Sequence, residues 1–358
     1  MALHLQLAPY SLPLACPWPG TPRGTGLTLR EGWVISIRND RHTGYGDCAP
    51  FPSAGTEPAA AAHQLLQQFC RRVWSGTQTL LEELRQRHHD CPAACHALET
   101  AALDLHSRNT KLPLRKLLND TASNQILLNA MSGSACQEKA LQAQDQGFSV
   151  IKLKVGRQEL QEEIRCLKNL SAGLAPEIRL RLDANGSWNL DEARYFLDAT
   201  AGLPIESLEE PLHNPSLSEF SLLQSQTPVT LALDESIQRI NQDELLANPN
   251  IRRLVLKPGV QGGLQYSYSL AEKAAAAGKE CVITSLVDSA VGIHAACQLA
   301  AAVDGLSPGL AHGLATSSWL CKDVARPPEI EAGYTSLPDI PGLGIDEIFY
   351  ANLSGTFS

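Results

Sequence analysis

Between residues 149 and 263 the chain repeats one pattern five times: a short apolar run that stops on a charged residue. The stops are Lys154, Asp183, Glu209, Asp234 and Lys257, separated by 29, 26, 25 and 23 residues. Each interval has room for one strand, one crossover helix and two loops, and parallel strands can be joined only by such crossovers. Regular recurrence of this kind argues for a parallel (β/α) barrel. Because the charge closes each run, it falls at the strand's C-terminal end, the face on which such barrels do chemistry.

A barrel of this type takes roughly 250 residues, so a chain of 358 residues has room for a second unit. The first 111 residues supply it. Trp33, Ile35 and Ile37 alternate within residues 31–38, as in a half-buried strand. Residues 58–72, 77–87 and 93–105 read as helices, the last with Leu98, Ala101, Ala102 and Leu105 in one 3.6-residue stripe. Strands followed by helices predict a small α+β domain ending near Lys111. Barrel strands are expected at residues 126–129, 150–155, 178–182, 205–208, 229–233, 254–256 and 281–284, with residues 310–314 closing the ring.

The formal net charge is −9 and the pI about 5.6. There is no global basic field to draw nucleic acid or an anionic membrane, which sets both aside as partners. A small anionic substrate is still compatible, because local lysines and a metal outweigh the net sign. No run reaches the roughly 20 apolar residues of a membrane helix. Residues 1–18 lack a basic leader and are broken by Pro9 and Pro13, so they read as an opening strand rather than a signal peptide. The ten cysteines show no CxxC pair, as expected of free thiols in a reducing, cytoplasmic setting.

The charged stops form a chemical constellation. Asp183, Glu209 and Asp234 on successive strand ends would repel one another unless a hard divalent cation neutralised them, most simply Mg²⁺, with Mn²⁺ suited to the same oxygen donors. Lys154 and Lys257 then stand on opposite sides of that ion. Lys152, two residues before Lys154, shares its face. Two inward lysines repel and are desolvated, which predicts a lowered pKa for at least one. Arg181 shares the face of Asp183 and is a candidate for a substrate carboxylate, while the glycine loop at residues 259–263 could offer backbone donors to an anion. The chemistry that fits is removal of a proton beside a carboxylate, with the enediolate stabilised by the cation and a lysine as acid or base.

These motifs, taken in order, resemble the enolase superfamily, specifically its muconate-lactonising subgroup and, most closely, the o-succinylbenzoate synthases. The resemblance runs through REGW from Arg30, GYGDCAPFP from Gly44, CHALETAALDL from Cys95, IKLKVG, RLDANGSW, SLEEP, LALDES, VLKPG, TSLVDSAVG and AHGLAT. It implies an α/β fold, a modified TIM barrel (β/α)7β with an N-terminal α+β capping domain. Residues 1–112 would form the cap, 113–325 the barrel and 326–358 a tail returning to the cap. It also implies that Asp183, Glu209 and Asp234 hold Mg²⁺ and that Lys154 and Lys257 are catalytic. The implied reaction is syn dehydration of 2-succinyl-6-hydroxy-2,4-cyclohexadiene-1-carboxylate to 2-succinylbenzoate, on the way to menaquinone or phylloquinone. Lys152, Arg181, Ser285 and Asp288 are candidates for substrate contact, with the loop at residues 22–29 and the passage at residues 53–56.

N-acylamino-acid racemases and dipeptide epimerases share both lysines and all three carboxylates. Many epimerases carry an Asp-x-Asp pair near the last strand, where this chain reads Leu310-Ala311-His312-Gly313-Leu314. A barrel kept only as a scaffold is the remaining alternative, and the presence of all five charged stops weighs against it.

Overall fold

A computed structural model describes residues 2–18, 27–133, 137–349 and 352–353. Strands β1 (His4–Trp18), β2 (Leu27–Arg38) and β3 (Thr43–Cys48) form an antiparallel sheet in that order. Helices α1 (Ala59–Cys70), α2 (Thr77–Leu84) and α3 (Pro92–Thr110) pack with it, and the short α4 (Leu114–Leu118) leads away. Ile35 and Ile37 are fully buried. Gly44 and Gly46 explain how closely sheet and helix approach: a methyl group on either would drive into the α3 backbone at Ala101 or Ala97. The alanines of α3 serve the same close contact, and Ala97, Ala101 and Ala102 are wholly buried.

After β4 (Gln125–Leu127) come seven strands in one parallel sheet, ordered as in the chain. They are β5 (Ala130–Gly133), β6 (Val150–Lys154), β7 (Arg179–Asp183), β8 (Ile205–Glu209), β9 (Thr230–Leu233), β10 (Arg253–Leu256) and β11 (Glu280–Ile283). Between them run α5 (Gln137–Asp145), α6 (Leu160–Ala172), α7 (Leu190–Ala199), α8 (Leu217–Ser225), α9 (Gln242–Ala247), α10 (Pro258–Gln261) and α11 (Leu264–Ala276), with α12 (Ala290–Asp304) following. Capping boxes start two of these helices, Asn189 with Glu192 and Ser216 with Glu219, and each satisfies backbone donors that the first turn leaves unpaired. Between β12 (Tyr334–Ser336) and the end of the described chain, the tail lies on α3. There Gly342 N donates to Ser107 Oγ at 2.7 Å and Leu343 N to Asp104 Oδ1 at 2.9 Å.

Two strand expectations need correction. The first barrel strand is β5, four residues beyond the expected start, because β4 pairs antiparallel with β12 of the tail. Its partner lies more than 200 residues away, so no local pattern marks it. Residues 310–314 join the sheet edges by single bridges, His312 to Leu128 and Gly313 to Thr284, rather than as a ladder. His312 compensates with its side chain, Nδ1 accepting from Ile283 N at 2.9 Å and Nε2 lying 3.2 Å from Asp304 Oδ1. Among the described residues no helix is long and apolar enough to cross a membrane, and eight cysteines are free thiols.

Candidate active site

Strand register builds the site. Lys154 sits beside Asp183, and Asp183 beside Glu209, across β6, β7 and β8. Glu209 neighbours Ala232 on β9, so Asp234 lies two residues further on the same face. Lys257 follows the last residue of β10. The alternate residues Leu153, Leu182 and Leu208 are fully buried, fixing which face holds the charges.

There the charges meet. Lys152 Nζ donates to Glu209 Oε2 at 2.6 Å and lies 3.1 Å from Asp183 Oδ2. Lys154 Nζ donates to Asp183 Oδ2 at 2.6 Å and to Asn185 Oδ1 at 2.5 Å. Lys257 Nζ makes a close ion pair with Asp234. Asn185, which its position before Gly186 marks only as a turn residue, also donates through its amide to Glu235 Oε1 at 3.2 Å. Its left-handed backbone, φ 46°, turns it back over Asp183.

Electrostatics decides the protonation. Burial alone would lower the Lys152 ammonium, but Asp183, Glu209 and Asp234 outweigh it and raise the pKa. For Lys152 this is the opposite of a lowered value, because lysine repulsion counted alone omits the carboxylates. Burial would likewise lift Asp183, and Lys152 and Lys154 hold it well below the usual range. In the Asp234–Lys257 pair, burial and Glu235 push the carboxylate up while the ammonium pulls it down; direct contact keeps Lys257 charged and raised.

Among the described residues no three His, Cys, Asp or Glu side chains close into a ready-made metal cluster. The reason is visible in the contacts: an ammonium lies against each carboxylate where a cation would otherwise be. The donor set nevertheless fits a hard divalent ion. It consists of buried carboxylate oxygens from three adjacent strand ends, and Glu209 Oε1 is buried without a hydrogen-bond partner among the described residues. An orphaned anionic oxygen in such a place calls for positive charge.

Other expected contacts fall elsewhere. Arg181 is buried below the site, donating to Glu206 Oε2 at 3.1 Å, Asn129 Oδ1 at 3.1 Å and Ala311 O at 2.8 Å. All three guanidinium nitrogens donate within the protein, and the side chain does not line the cavity. Asp288 faces Arg30, at 3.7 Å, rather than the cavity. Ser285 does line the cavity and bonds Thr316 Oγ1 at 2.9 Å. The glycine loop is mostly α10, with Pro258 at its first turn, and the next donors, Leu264 N and Gln265 N, are taken by Glu99. Ser53 and Ala54 reach the cavity from the cap, whereas residues 22–26 of the expected cap loop lie outside the described residues. Phe51, Met131 and Arg157 also line it; nothing local marks them, since β-sheet and loop geometry bring them in.

The cavity over these charges is about 100 Å³. A larger one, about 560 Å³, lies between α2, α3 and α11, but its lining includes none of the charged strand ends. Chemistry selects the smaller space.

Residues 135–347 match the family model described as enolase C-terminal domain-like, and the chain belongs to the enolase superfamily. Over 96% of both chains it is 25% identical to L-Ala-D/L-Glu epimerase of Bacillus subtilis. It is 29% identical to o-succinylbenzoate synthase of Aliivibrio salmonicida, over 78% of this chain and 81% of that one. Among solved structures, a dipeptide epimerase of Methylococcus capsulatus, complexed with Mg and L-Arg-D-Lys, superposes with a TM-score of 0.85 at 25% identity. That alignment covers 96% of this chain and 99% of the other.

Proposed function

We propose that this enzyme is an o-succinylbenzoate synthase, removing water from 2-succinyl-6-hydroxy-2,4-cyclohexadiene-1-carboxylate in quinone biosynthesis. One observation carries the reading: the charge pattern of the cavity wall. Beyond Asp183, Glu209 and Asp234, the wall carries four cations, Lys152, Lys154, Lys257 and Arg157, against one further acid, Glu235, which Asn185 Nδ2 engages at 3.2 Å. The rest is Phe51, Ala54, Met131, Asn185, Thr284 and Leu286 with two serines. Such a lining suits a ring with one carboxylate on it and a second at the end of its side chain. A dipeptide would bring an ammonium, and among the described residues the segment 310–314 offers it no acid.

Asp183, Glu209 and Asp234 would hold Mg²⁺, which supplies positive charge for the anion that develops on the substrate carboxylate. Lys154 Nζ, once neutral, takes the proton from the ring carbon bearing that carboxylate and returns it to the departing hydroxyl on the same face. One C–H and one C–O bond break, water leaves, and the ring becomes aromatic without any redox partner. Lys257, across the cavity, stays charged and adds to the stabilisation of the anion. Asn185 orients Lys154 and Lys152 neutralises Glu209.

Epimerase chemistry keeps support from the full-length match to the Bacillus enzyme, since proton removal is common to both. The test is direct. Purified protein with Mg²⁺ and the cyclohexadiene carboxylate should give an aromatic absorbance, while L-Ala-L-Glu in deuterated water should exchange slowly or not at all. Rapid α-carbon exchange without dehydration would overturn the synthase reading.

A further inference from the structure

Arg30, in the REGW motif, has no part in the chemistry above, yet it is 2% exposed and wholly engaged. Its Nη1 donates to Pro50 O at 2.8 Å, its Nη2 to Ala49 O, and its Nε to Val287 O at 3.1 Å. The guanidinium also lies 5.5 Å from the centre of the Phe51 ring and 3.7 Å from Asp288 Oδ1. These partners come from two loops, one in the cap and one after β11. Each loop runs directly into the cavity wall, the first through Phe51, Ser53 and Ala54, the second through Ser285 and Leu286.

The second loop is strained. Val287 has φ 60°, a left-handed conformation that a β-branched residue resists. Its carbonyl is the one that Arg30 Nε holds. On the far side, Asp47 accepts from Tyr10 Oη at 2.6 Å and from Ser289 N at 2.9 Å, pinning the loop's exit to the cap. At about 100 Å³, the cavity is below the roughly 300 Å³ of usual ligand sites, so its walls have to give way when a substrate enters. A neutral wall that spans two loops can recover one shape afterwards only if the loops are tied.

We propose that Arg30 is a positioning residue that joins the Phe51 loop and the Leu286 loop into one substrate-binding wall. It acts on binding of the non-reacting part of the substrate, not on proton transfer. The kinetic side of this rests on the synthase reading; the structural side does not.

The test uses Arg30→Lys, which keeps the charge but not the three-way fork. The double variant Arg30→Met with Asp288→Asn removes the fork without stranding a buried carboxylate. Amide hydrogen exchange, without substrate, should speed up about tenfold or more in both residues 49–56 and residues 285–290, with β6 to β8 unchanged. With the cyclohexadiene carboxylate, KM should rise about tenfold while kcat stays within about threefold, the mark of lost uniform binding. Unchanged exchange in either loop, or a fall in kcat at constant KM, would overturn the proposal. If neither variant folds, with exchange rising throughout β6 to β8, Arg30 is a general structural residue and the proposal is wrong. Wild-type protein inert toward that substrate would sink the synthase reading, and the exchange result would still judge Arg30.

Discussion

Two clusters of buried charge sit inside the same sheet, and they are built from different cations. At the C-terminal strand ends, Lys152, Lys154 and Lys257 meet Asp183, Glu209 and Asp234. Below them, Arg181 and Arg253 share Glu206, and Arg253 also reaches Glu280 at 2.7 Å. The arginine cluster is closed: burial opposes the Glu206 carboxylate, but the two guanidiniums bring it down to about 2. The lysine cluster leaves Glu209 Oε1 without a hydrogen-bond partner among the described residues. A guanidinium is a fixed fork that does not give up its proton, whereas an ammonium is a movable point charge that does. The lower cluster locks strands together, and the upper one is built from the cation type whose chemistry allows proton exchange.

Substitutions that swap these properties test the contrast. Lys154→Arg keeps the charge but removes the exchangeable proton, and kcat/KM should fall about 10³-fold with the melting temperature nearly unchanged. Appreciable turnover by that variant would remove Lys154 as the base. Next in size is the response to metal. Mg²⁺ at about 100 times its Kd should add about 2.7 kcal/mol to wild-type stability; Asp234→Asn should lose most of that gain, while Glu206→Gln should keep it. A calorimetric scan with and without Mg²⁺ decides, and equal gains in all three proteins would contradict the metal assignment.

Arg181→Lys is the converse of the first substitution. Losing the fork should cost about 2–3 kcal/mol in urea unfolding, with kcat per folded molecule intact. The smallest effect is in acid. Glu206 is depressed in the folded state, so its contribution is present above about pH 4.5 and is lost as pH falls through about 2. Glu206→Gln should therefore flatten the stability profile in that window by about 2 kcal/mol. An unaltered acid limb would mean that the arginines do not hold this carboxylate.

Much of this contrast could be read along the chain, and part could not. The order of charged strand ends and the lysines two apart are local features, so their signals survive in sequence. Arg181 shows what is lost. Spacing places it on the face of Asp183, but alternation reports a face and not a depth, and its partners Glu206 and Ala311 become neighbours only when the sheet curls. Asp288 sits next to a cavity-lining loop in sequence, yet the cap arrives from the other side with Arg30 and draws it away.

The sequence by itself determined a parallel α/β unit with three acids and two lysines at consecutive strand ends, because side-chain alternation and crossover length are properties of short stretches. Only the tertiary structure decided which buried cations face the cavity, that β4 pairs with the tail, and that one arginine ties two distant loops into a wall. Those outcomes depend on contacts between residues far apart in the chain, and no local periodicity encodes them.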